Sequence, residues 1–312
     1  HLMMEIVIAL GGGGVRGIAH IGVIRCLQEN GFKIRSVAGT SVGGLVGSVF
    51  AAGFSTQEIE NAARSLNTVR SFRRKLEDKP SLLGVSGISN KLLEMLGDKK
   101  IEDFDIPFVA TAVSLNNGNE IVLNKGKAVD AVLATIAIPG ILPIREVGGK
   151  VLMDGGVLDP VPVIAARWLN PSLPIIAVVL HQKSKEYDPE NLPLPFPVPG
   201  PSSIIEHLSK VRLVEALKIF ARSVEIATEK LSELRLILDK PDVIIRPSVG
   251  NYNLLDKVEP DKLIKEGEIA TLAALPEIEK ACSRMSTIKR RLRYGSSPRN
   301  IRGHWEEISD LE

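Results

Sequence analysis

Short runs of consecutive apolar residues alternate with segments of helical periodicity in the first half of the chain. Residues 5–10 and 174–180 are almost entirely apolar, which is typical of strands buried on both faces of a parallel sheet, and residues 34–38 are predicted as a further strand. Residues 18–30 instead carry apolar side chains at three- and four-residue spacing and end at Asn30-Gly31, which predicts a helix. The order strand, helix, strand predicts a parallel βαβ unit with a right-handed crossover.

Capping and turn residues predict the remaining elements of this half. Ser55 and Glu58 form a capping box that opens a helix. Asn-Gly and Gly-Gly turns predict two hairpins, and shorter helices lie around them. The predicted helices are 45–52, 90–96, which follows a loop at 86–89, and 128–138. The predicted hairpins pair 108–115 with 119–123 and 144–147 with 151–153.

The second half has a different pattern. Alternating prolines make residues 187–201 an extended linker or surface loop. Residues 202–238 keep an apolar stripe at helical spacing, which we interpret as a packing face, with a membrane or dimer contact as the alternative. Unbroken, this helix would reach roughly 50 Å, so we expect a break or a partner. The later predicted elements are a strand at 243–245, a helix at 261–281 interrupted at Pro276, and a basic, loop-like tail at 284–302.

Composition and charge exclude few classes of function. The formal net charge of the 312 residues is +2, so nothing points to nucleic acid. Cys26 and Cys282 are the only cysteines, which is typical of a reducing compartment and has no metal-site spacing. No apolar run has the length of a signal peptide core or a membrane span, so we expect a cytoplasmic protein. The basic run at 64–79 is interpreted as a solvated helix face, with contact to anionic head groups as the alternative.

Two glycine-rich motifs follow the first two predicted strands. Gly11 to Gly17 read GGGGVRG, and Gly12, Gly14 and Gly17 satisfy the dinucleotide-binding pattern G-x-G-x-x-G. That pattern also needs an acidic residue at the end of the second strand to hold the ribose. The chain has none there, and a nucleotide-binding oxidoreductase is therefore the second interpretation.

The second motif is G-T-S-V-G, from Gly39 to Gly43, between the second strand and a helix. A serine on such a turn has its Oγ pushed out of the backbone, and the helix that follows directs N–H groups at the same point. Ser41 is therefore a candidate nucleophile, and the amides of the neighbouring glycine loop are candidate oxyanion donors.

A serine nucleophile needs a base, and two side chains are candidates. Asp154, in the D-G-G turn with Gly155 and Gly156, follows a short strand, and burial would raise the pKa of its carboxyl group toward a useful value. His181 ends the strand at 174–180 and is the alternative base. His20 lies in the helix after the glycine loop and is interpreted as a packing or hydrogen-bonding residue.

Together, in this order, GGGGVRG, GTSVG and DGG resemble the patatin-like phospholipase family over roughly half of the chain. The proline-containing segment IPGILP at 138–143 is also similar to that family. Two positions depart from the common pattern, since Gly11 stands where Asp is frequent and Asp159 where Asn is frequent.

The resemblance implies a three-layer α/β/α fold with a mostly parallel central sheet and a nucleophile elbow. It further implies a dyad of Ser41 and Asp154, with no metal and no cofactor, and hydrolysis of fatty-acyl esters of phospholipids, lysophospholipids or other lipids. The residues implied for the oxyanion hole are Gly12, Gly13 and Gly14, and those implied to support the site are Arg16, Gly39, Gly43, Gly155 and Gly156.

From pattern and resemblance together we expect a catalytic core at 4–182, a Pro-rich loop at 183–202, a helical part packed on the core at 203–283, and a flexible basic tail at 284–312. Peripheral membrane contact and self-association are left open. A catalytically inactive lipid-binding module on the same scaffold is a further alternative to the esterase.

Overall fold

β1, Met4–Leu10, is the central strand of a mixed sheet that runs through the molecule. The structure is a computed structural model that describes residues 4–66, 81, 83–181, 212–253, 255–295 and 305–308. The predicted Pro-rich loop and most of the basic run at 64–79 lie outside these residues.

Except for β9, the bounds of the strands follow the predicted pattern closely. They are β1 Met4–Leu10, β2 Phe32–Thr40, β3 Phe108–Ser114, β4 Glu120–Leu123, β5 Arg145–Val147, β6 Lys150–Asp154, β7 Ile175–Val178, β8 Val243–Ile245 and β9 Trp305–Glu307. The helices of the described residues are α1 Ala19–Glu29, α2 Val42–Ala51, α3 Thr56–Leu66, α4 Ser86–Leu96, α5 Ala128–Thr135, α6 Val163–Leu169, α7 Arg212–Asp239, α8 Pro260–Ala281 and α9 Arg284–Tyr294.

The strand order is β5-β6-β3-β2-β1-β7-β8, with β4 beside β3 and β9 beside β4. In the centre of the sheet, β3, β2, β1, β7 and β8 each pair with the next strand in parallel. The parallel pairing of β1 and β2 confirms the predicted βαβ unit of β1, α1 and β2. The hairpins β3–β4 and β5–β6 are antiparallel, also as predicted. In this parallel core the carboxyl ends of β1 and β2 meet at one edge of the sheet, where both glycine motifs lie.

Helices cover both faces of the sheet, which gives three layers. Alternate side chains of β1 point to opposite faces, because successive residues of a strand do so. Ile6, Ile8 and Leu10 belong to the larger core cluster, which contains residues of α1 to α5 and α8. Val7 and Ala9 belong to the smaller one, with residues of α6 and α7. The fold class predicted from the sequence, a mostly parallel three-layer α/β/α fold, is confirmed.

Several predicted bounds of helices are wrong. α4 begins at Ser86, so the segment 86–89 is helical and not a loop. For α7, where a break or a partner is expected, the described residues 212–239 form one helix without a break, and the expectation as a whole is not contradicted. α8 continues through Pro276 without interruption. The carbonyl deprived of a partner by that proline belongs to Leu272, which is on the exposed side of the helix, where water can replace the bond.

The predicted loop-like tail is also wrong in its described part. Residues 284–294 form α9, and residues 305–307 add β9 to the sheet beside β4. Arg290, which reads as one more solvated cation in the sequence, is buried against Asp242. The buried guanidinium of Arg290 is thus one of the contacts that pack this basic helix on the rest of the protein, and sequence periodicity does not indicate it.

In the part of α7 whose side chains the structure describes, from residue 222 on, the apolar stripe is not the packing face, contrary to the prediction. Val224, Leu234 and Leu238 are exposed, whereas Glu229 and Ser232 are buried. The side of α7 that meets the core is therefore largely polar, and it makes ion pairs described below. Among the described residues, no helix combines the length and the apolar character needed to cross a membrane.

Candidate active site

Ser41 lies on a strained turn between β2 and α2. Its backbone has φ 56° and ψ −127°, a conformation that residues with a side chain rarely adopt. The flanking glycines permit the turn, because a Cβ on Gly43 would lie 2.1 Å from the carbonyl oxygen of Leu10, and one on Gly39 would lie 2.4 Å from that of Gly43. The predicted elbow is therefore present, with α2 beginning directly after the serine.

Three buried threonines brace this turn, and sequence reasoning missed all of them. Thr135 Oγ accepts a hydrogen bond from the backbone N–H of Ser41 at 2.9 Å and donates one to the carbonyl of Thr111 at 2.6 Å. Thr40 Oγ donates to the carbonyl of Asp159 at 2.8 Å and lies 2.7 Å from Thr111 Oγ. The elbow is thus tied to β3, to α5 and to the loop after β6.

Asp154 ends β6 and faces the serine. The Ser41 hydroxyl donates a hydrogen bond of 2.5 Å to Asp154 Oδ2. The other carboxylate oxygen, Oδ1, accepts the N–H of Gly156 at 2.7 Å, and the Asp154 N–H donates to the carbonyl of Ala137. Gly155 is required because a Cβ there would lie 2.3 Å from Thr111 Oγ. The side chains of Ser41 and Asp154 are therefore in contact, as the family resemblance implied, and both oxygens of the carboxyl group accept hydrogen bonds.

The electrostatics of the pair are set by burial. Ser41 is 6% exposed and Asp154 5%. Burial raises the pKa of Asp154 from 3.8 to about 6, although the hydrogen bonds from Ser41 and Gly156 act in the opposite direction. A carboxyl group with this pKa is still ionised at neutral pH and is a stronger base than an exposed aspartate, so it can accept a hydroxyl proton.

The glycine loop lies against the serine, but its amides are not equivalent. The N–H of Gly12 donates to the carbonyl of Pro160 at 3.0 Å, so it is not free to hold an oxyanion in this structure, contrary to the expectation for Gly12. Within the described part of the chain, the N–H groups of Gly13 and Gly14 have no acceptor. Gly14 has φ 58°, which favours glycine at that position. A Cβ on Gly12 would lie 3.2 Å from that of Ser41, so the loop and the serine are neighbours.

Arg16 ties this loop to the second half of the chain. Its Nη2 lies 2.7 Å from Glu225 Oε1 on α7, and its Nε donates to the carbonyl of Tyr252 at 2.7 Å. The sequence motif implied that Arg16 supports the loop, but neither partner carries a signal in the sequence. Glu225 reads as an ordinary charge on a long helix.

Asp159, one of the two departures from the family pattern, lies fully buried behind the site. Arg235 of α7 pairs with its Oδ2 at 3.2 Å and with Asp239 Oδ2 at 3.0 Å. Burial, and next the nearby Glu120, raise the pKa of Asp159 well above its usual value. α7 therefore contacts both segments that carry candidate site residues, the glycine loop through Glu225 and the segment after Asp154 through Arg235.

The two histidines in the described part of the chain, His20 and His181, do not hydrogen-bond to the serine hydroxyl. His20 is buried and its Nε2 lies 2.8 Å from the carbonyl oxygen of Gly11, so it is a hydrogen-bonding residue at the head of the glycine loop, as we interpreted it. Burial lowers the pKa of His20 to about 4. His181 is also buried, and burial together with the charge of Arg16 lowers its pKa to about 4. Among the described residues, no group of three His, Cys, Asp or Glu side chains could hold a metal ion.

The fold and the site define a class, that of three-layer α/β proteins with a serine on an elbow against a buried carboxylate. The model of the patatin-like phospholipase family matches residues 8–167. The chain belongs to this family, and Ser41, Asp154 and the glycine loop lie in the matched segment, whereas His181 lies beyond it.

Curated relatives match the same half of the chain. An NTE family protein of Mycobacterium bovis is 40% identical over 174 residues, which are 55% of this chain and 48% of that protein. Lysophospholipase NTE1 of Saccharomyces cerevisiae is 31% identical over 165 residues, 51% of this chain and 10% of that protein. The chain thus spans about half the length of the mycobacterial relative and a tenth of the yeast one. The crystal structure of VipD from Legionella pneumophila has a TM-score of 0.49 at 13% identity, over 88% of this chain and 67% of that one.

Proposed function

We propose that this chain is a serine esterase that hydrolyses fatty-acyl esters of phospholipids, lysophospholipids or other lipids. The observation that carries the proposal is the 2.5 Å hydrogen bond from the Ser41 hydroxyl to Asp154 Oδ2. Membership of the patatin-like phospholipase family supports the lipid substrate, and the relatives named lysophospholipase favour a lipid with one acyl chain.

In the first half of the reaction, Ser41 Oγ attacks the ester carbonyl carbon while its proton passes to Asp154 Oδ2. The carbonyl oxygen gains the negative charge of the tetrahedral intermediate. When the intermediate collapses, the bond from carbon to the leaving oxygen breaks, and Asp154 returns the proton to the leaving alcohol. The product is an acyl ester on Ser41.

In the second half, a water molecule takes the place of the alcohol. Asp154 accepts its proton as the water oxygen attacks the acyl carbon, and the bond to Ser41 Oγ then breaks. The proton returns to Ser41, and the free fatty acid leaves. The carboxylate serves as base and then as acid in each half, so no metal or cofactor enters the scheme.

Oxyanion stabilisation is assigned to the N–H groups of Gly13 and Gly14, because they are the members of the predicted set with no acceptor among the described residues. Gly12 instead fixes the loop through its bond to the carbonyl of Pro160. The amino end of α2, which starts at Val42, adds positive potential at the same point.

Three other interpretations make different predictions. A dinucleotide-binding oxidoreductase would need an acidic residue at the end of β2, where this chain has Thr40 and Ser41. A catalytically inactive binding module would bind lipid but leave Ser41 unreactive. A triad with His181 as base would make His181→Ala the damaging change.

The experiment is labelling with a fluorophosphonate probe together with release of fatty acid from lysophosphatidylcholine. We expect wild-type protein to be labelled and active, and Ser41→Ala to be neither. Ser48→Ala is the matched control, because Ser48 is a buried serine of α2 whose hydroxyl donates to the carbonyl of Leu45. Labelling that persists in Ser41→Ala, or wild-type protein that is folded but neither labelled nor active, would end the proposal.

A further inference from the structure

α9 presents its polar side to the protein and its apolar side to solvent. Met285, Ile288 and Leu292 are 67%, 58% and 83% exposed, and their spacing of three and four residues places them on one stripe of the helix. On the opposite side Arg290 is buried and Tyr294 is partly covered. A surface helix normally buries its apolar stripe, so this one is positioned to receive an apolar partner.

The helix is fixed in place by contacts of its polar side. Ser283 caps its amino end by accepting the N–H of Ser286. Arg290 donates to Asp242 Oδ1 and to the carbonyl of Ala281, and the guanidinium of Arg167 lies 4.3 Å from the centre of the Tyr294 ring. The exposed stripe is therefore held in a helical geometry before any partner arrives, and a partner does not have to order it.

The charges around the stripe all have one sign. The eleven residues of α9 contain five cations and no acidic residue. On a helical wheel, Lys289 and Arg293 flank the stripe on one side, and Arg284 and Arg291 flank it on the other. These four side chains are exposed, and within the described residues none forms an ion pair.

We propose that α9 is a docking surface for an anionic lipid bilayer. An apolar stripe between two rows of cations matches the boundary between acyl chains and head groups, because the aliphatic side chains enter the apolar layer while Lys and Arg reach the phosphates. A nucleic acid would neutralise the cations but leave Met285, Ile288 and Leu292 in water. A second copy, packed about a twofold axis at α9, would bring two sets of four cations together.

This surface lies at the opposite edge of the sheet from the candidate active site. Arg290 contacts Ser172, three residues before β7, and Asp242, directly before β8, so α9 lies at the amino ends of the parallel strands. Ser41 follows the carboxyl end of β2. Docking through α9 therefore leaves the edge that carries Ser41 uncovered. The surface is a tether that does not depend on the proposed hydrolysis.

The test is co-sedimentation of the full chain with vesicles of phosphatidylcholine alone or mixed with phosphatidylglycerol. We expect binding to the mixed vesicles that weakens as salt is added, and little binding to phosphatidylcholine alone. Neutralising two flanking cations in Lys289→Gln/Arg293→Gln should lower the partition coefficient about fivefold for each charge. Ile288→Ser/Leu292→Ser should lower it as well, at unchanged net charge.

The matched control is Lys262→Gln/Lys265→Gln, which removes the same charge from exposed lysines of α8 that pair with Glu259 and Glu268. The double variant Lys262→Gln/Lys265→Gln should bind the mixed vesicles like wild type. Ser41→Ala should also bind them fully, although it is inactive. The proposal is overturned if wild-type protein ignores phosphatidylglycerol, or if the control pair loses as much binding as the α9 pair. It is also overturned if the α9 variants convert a dimer to a monomer in solution. A further contrary result is a short DNA duplex that binds as tightly as the vesicles and whose binding Ile288→Ser/Leu292→Ser does not weaken.

Discussion

The guanidinium of Arg16 lies 2.7 Å from the carboxylate of Glu225, and this ion pair joins the glycine loop to α7. Arg16 is two residues beyond Gly14, whereas Glu225 lies outside the segment that matches the family. Only 5% of the Arg16 side chain is exposed, so the pair is shielded from solvent. The position of the two free loop amides therefore depends on a helix that the family motifs do not include.

Replacing this carboxylate tests that dependence. In Glu225→Gln the charge that holds Arg16 is lost, and the glycine loop can shift relative to Ser41. Misplaced donors mainly weaken transition-state stabilisation, so we expect kcat of ester hydrolysis to fall about 10-fold or more with little change in KM. Steady-state kinetics on a soluble medium-chain ester measures both constants.

Glu233→Gln is the control for this change. Glu233 is on the same helix and pairs with Arg246 at 2.8 Å, but both side chains are exposed, so its loss should leave kcat unaltered. Equal kcat values for the two variants would show that the Arg16–Glu225 pair has no part in positioning the loop.

The pH dependence of kcat/KM reports the base. Burial raises the pKa of Asp154 to about 6, and a base must be ionised to accept a proton. The value of kcat/KM should therefore rise with pH through a midpoint near 6 and then level off. If His181 were the base, its pKa of about 4 would place the midpoint near 4 instead. A profile measured on the soluble ester distinguishes the two.

Asp154→Asn should remove activity and raise stability at neutral pH. The pKa of the carboxyl group is higher in the folded chain, about 6, than its ordinary value of 3.8. Its contribution to stability is therefore fully present below about pH 4 and is lost as the pH rises through about 6. At neutral pH the buried charge costs up to about 3 kcal/mol, which the neutral amide avoids.

Urea unfolding of wild type and Asp154→Asn at neutral and acidic pH measures this difference. We expect the variant to be more stable near neutral pH and the advantage to vanish in acid. A variant that is less stable at neutral pH, or an advantage that persists in acid, would contradict the assigned burial of the charge.

The glycines beside Ser41 and after Asp154 made both turns predictable from the sequence. Gly39 and Gly43 leave room for a turn that only small residues permit, and the glycines after Asp154 mark another such turn, so both sites could be located from the sequence. Parallel topology then placed Ser41 and the glycine loop at one edge of the sheet. Contact between Ser41 and Asp154 followed from family resemblance, because no local pattern specifies which loops meet.

The features that sequence missed are those set by distant partners. Gly12 was assigned to the oxyanion hole with Gly13 and Gly14, but the carbonyl of Pro160 occupies its N–H. Thr135 reads as an ordinary helix residue until β3 and the elbow pack against it. The packing of the polar side of α7 could not be predicted either, because a sequence does not distinguish a charged residue that is buried in an ion pair from one that is solvated.

Thr135 offers the most direct test of the bracing around the serine. Thr135→Val keeps the shape of the side chain but removes the acceptor of the Ser41 N–H and the donor to the carbonyl of Thr111. Both backbone groups would then be buried without partners, and we expect the free energy of unfolding to fall by about 1–3 kcal/mol.

The rate of labelling by the fluorophosphonate should fall in the same variant, because the strained turn at φ 56° loses the bond that holds its N–H. Thr135→Ser, which keeps the hydroxyl, should restore the labelling rate and much of the stability. If the valine variant is labelled as fast as wild type, the elbow is held by its glycines and by α2 alone, and the threonine contributes only to packing.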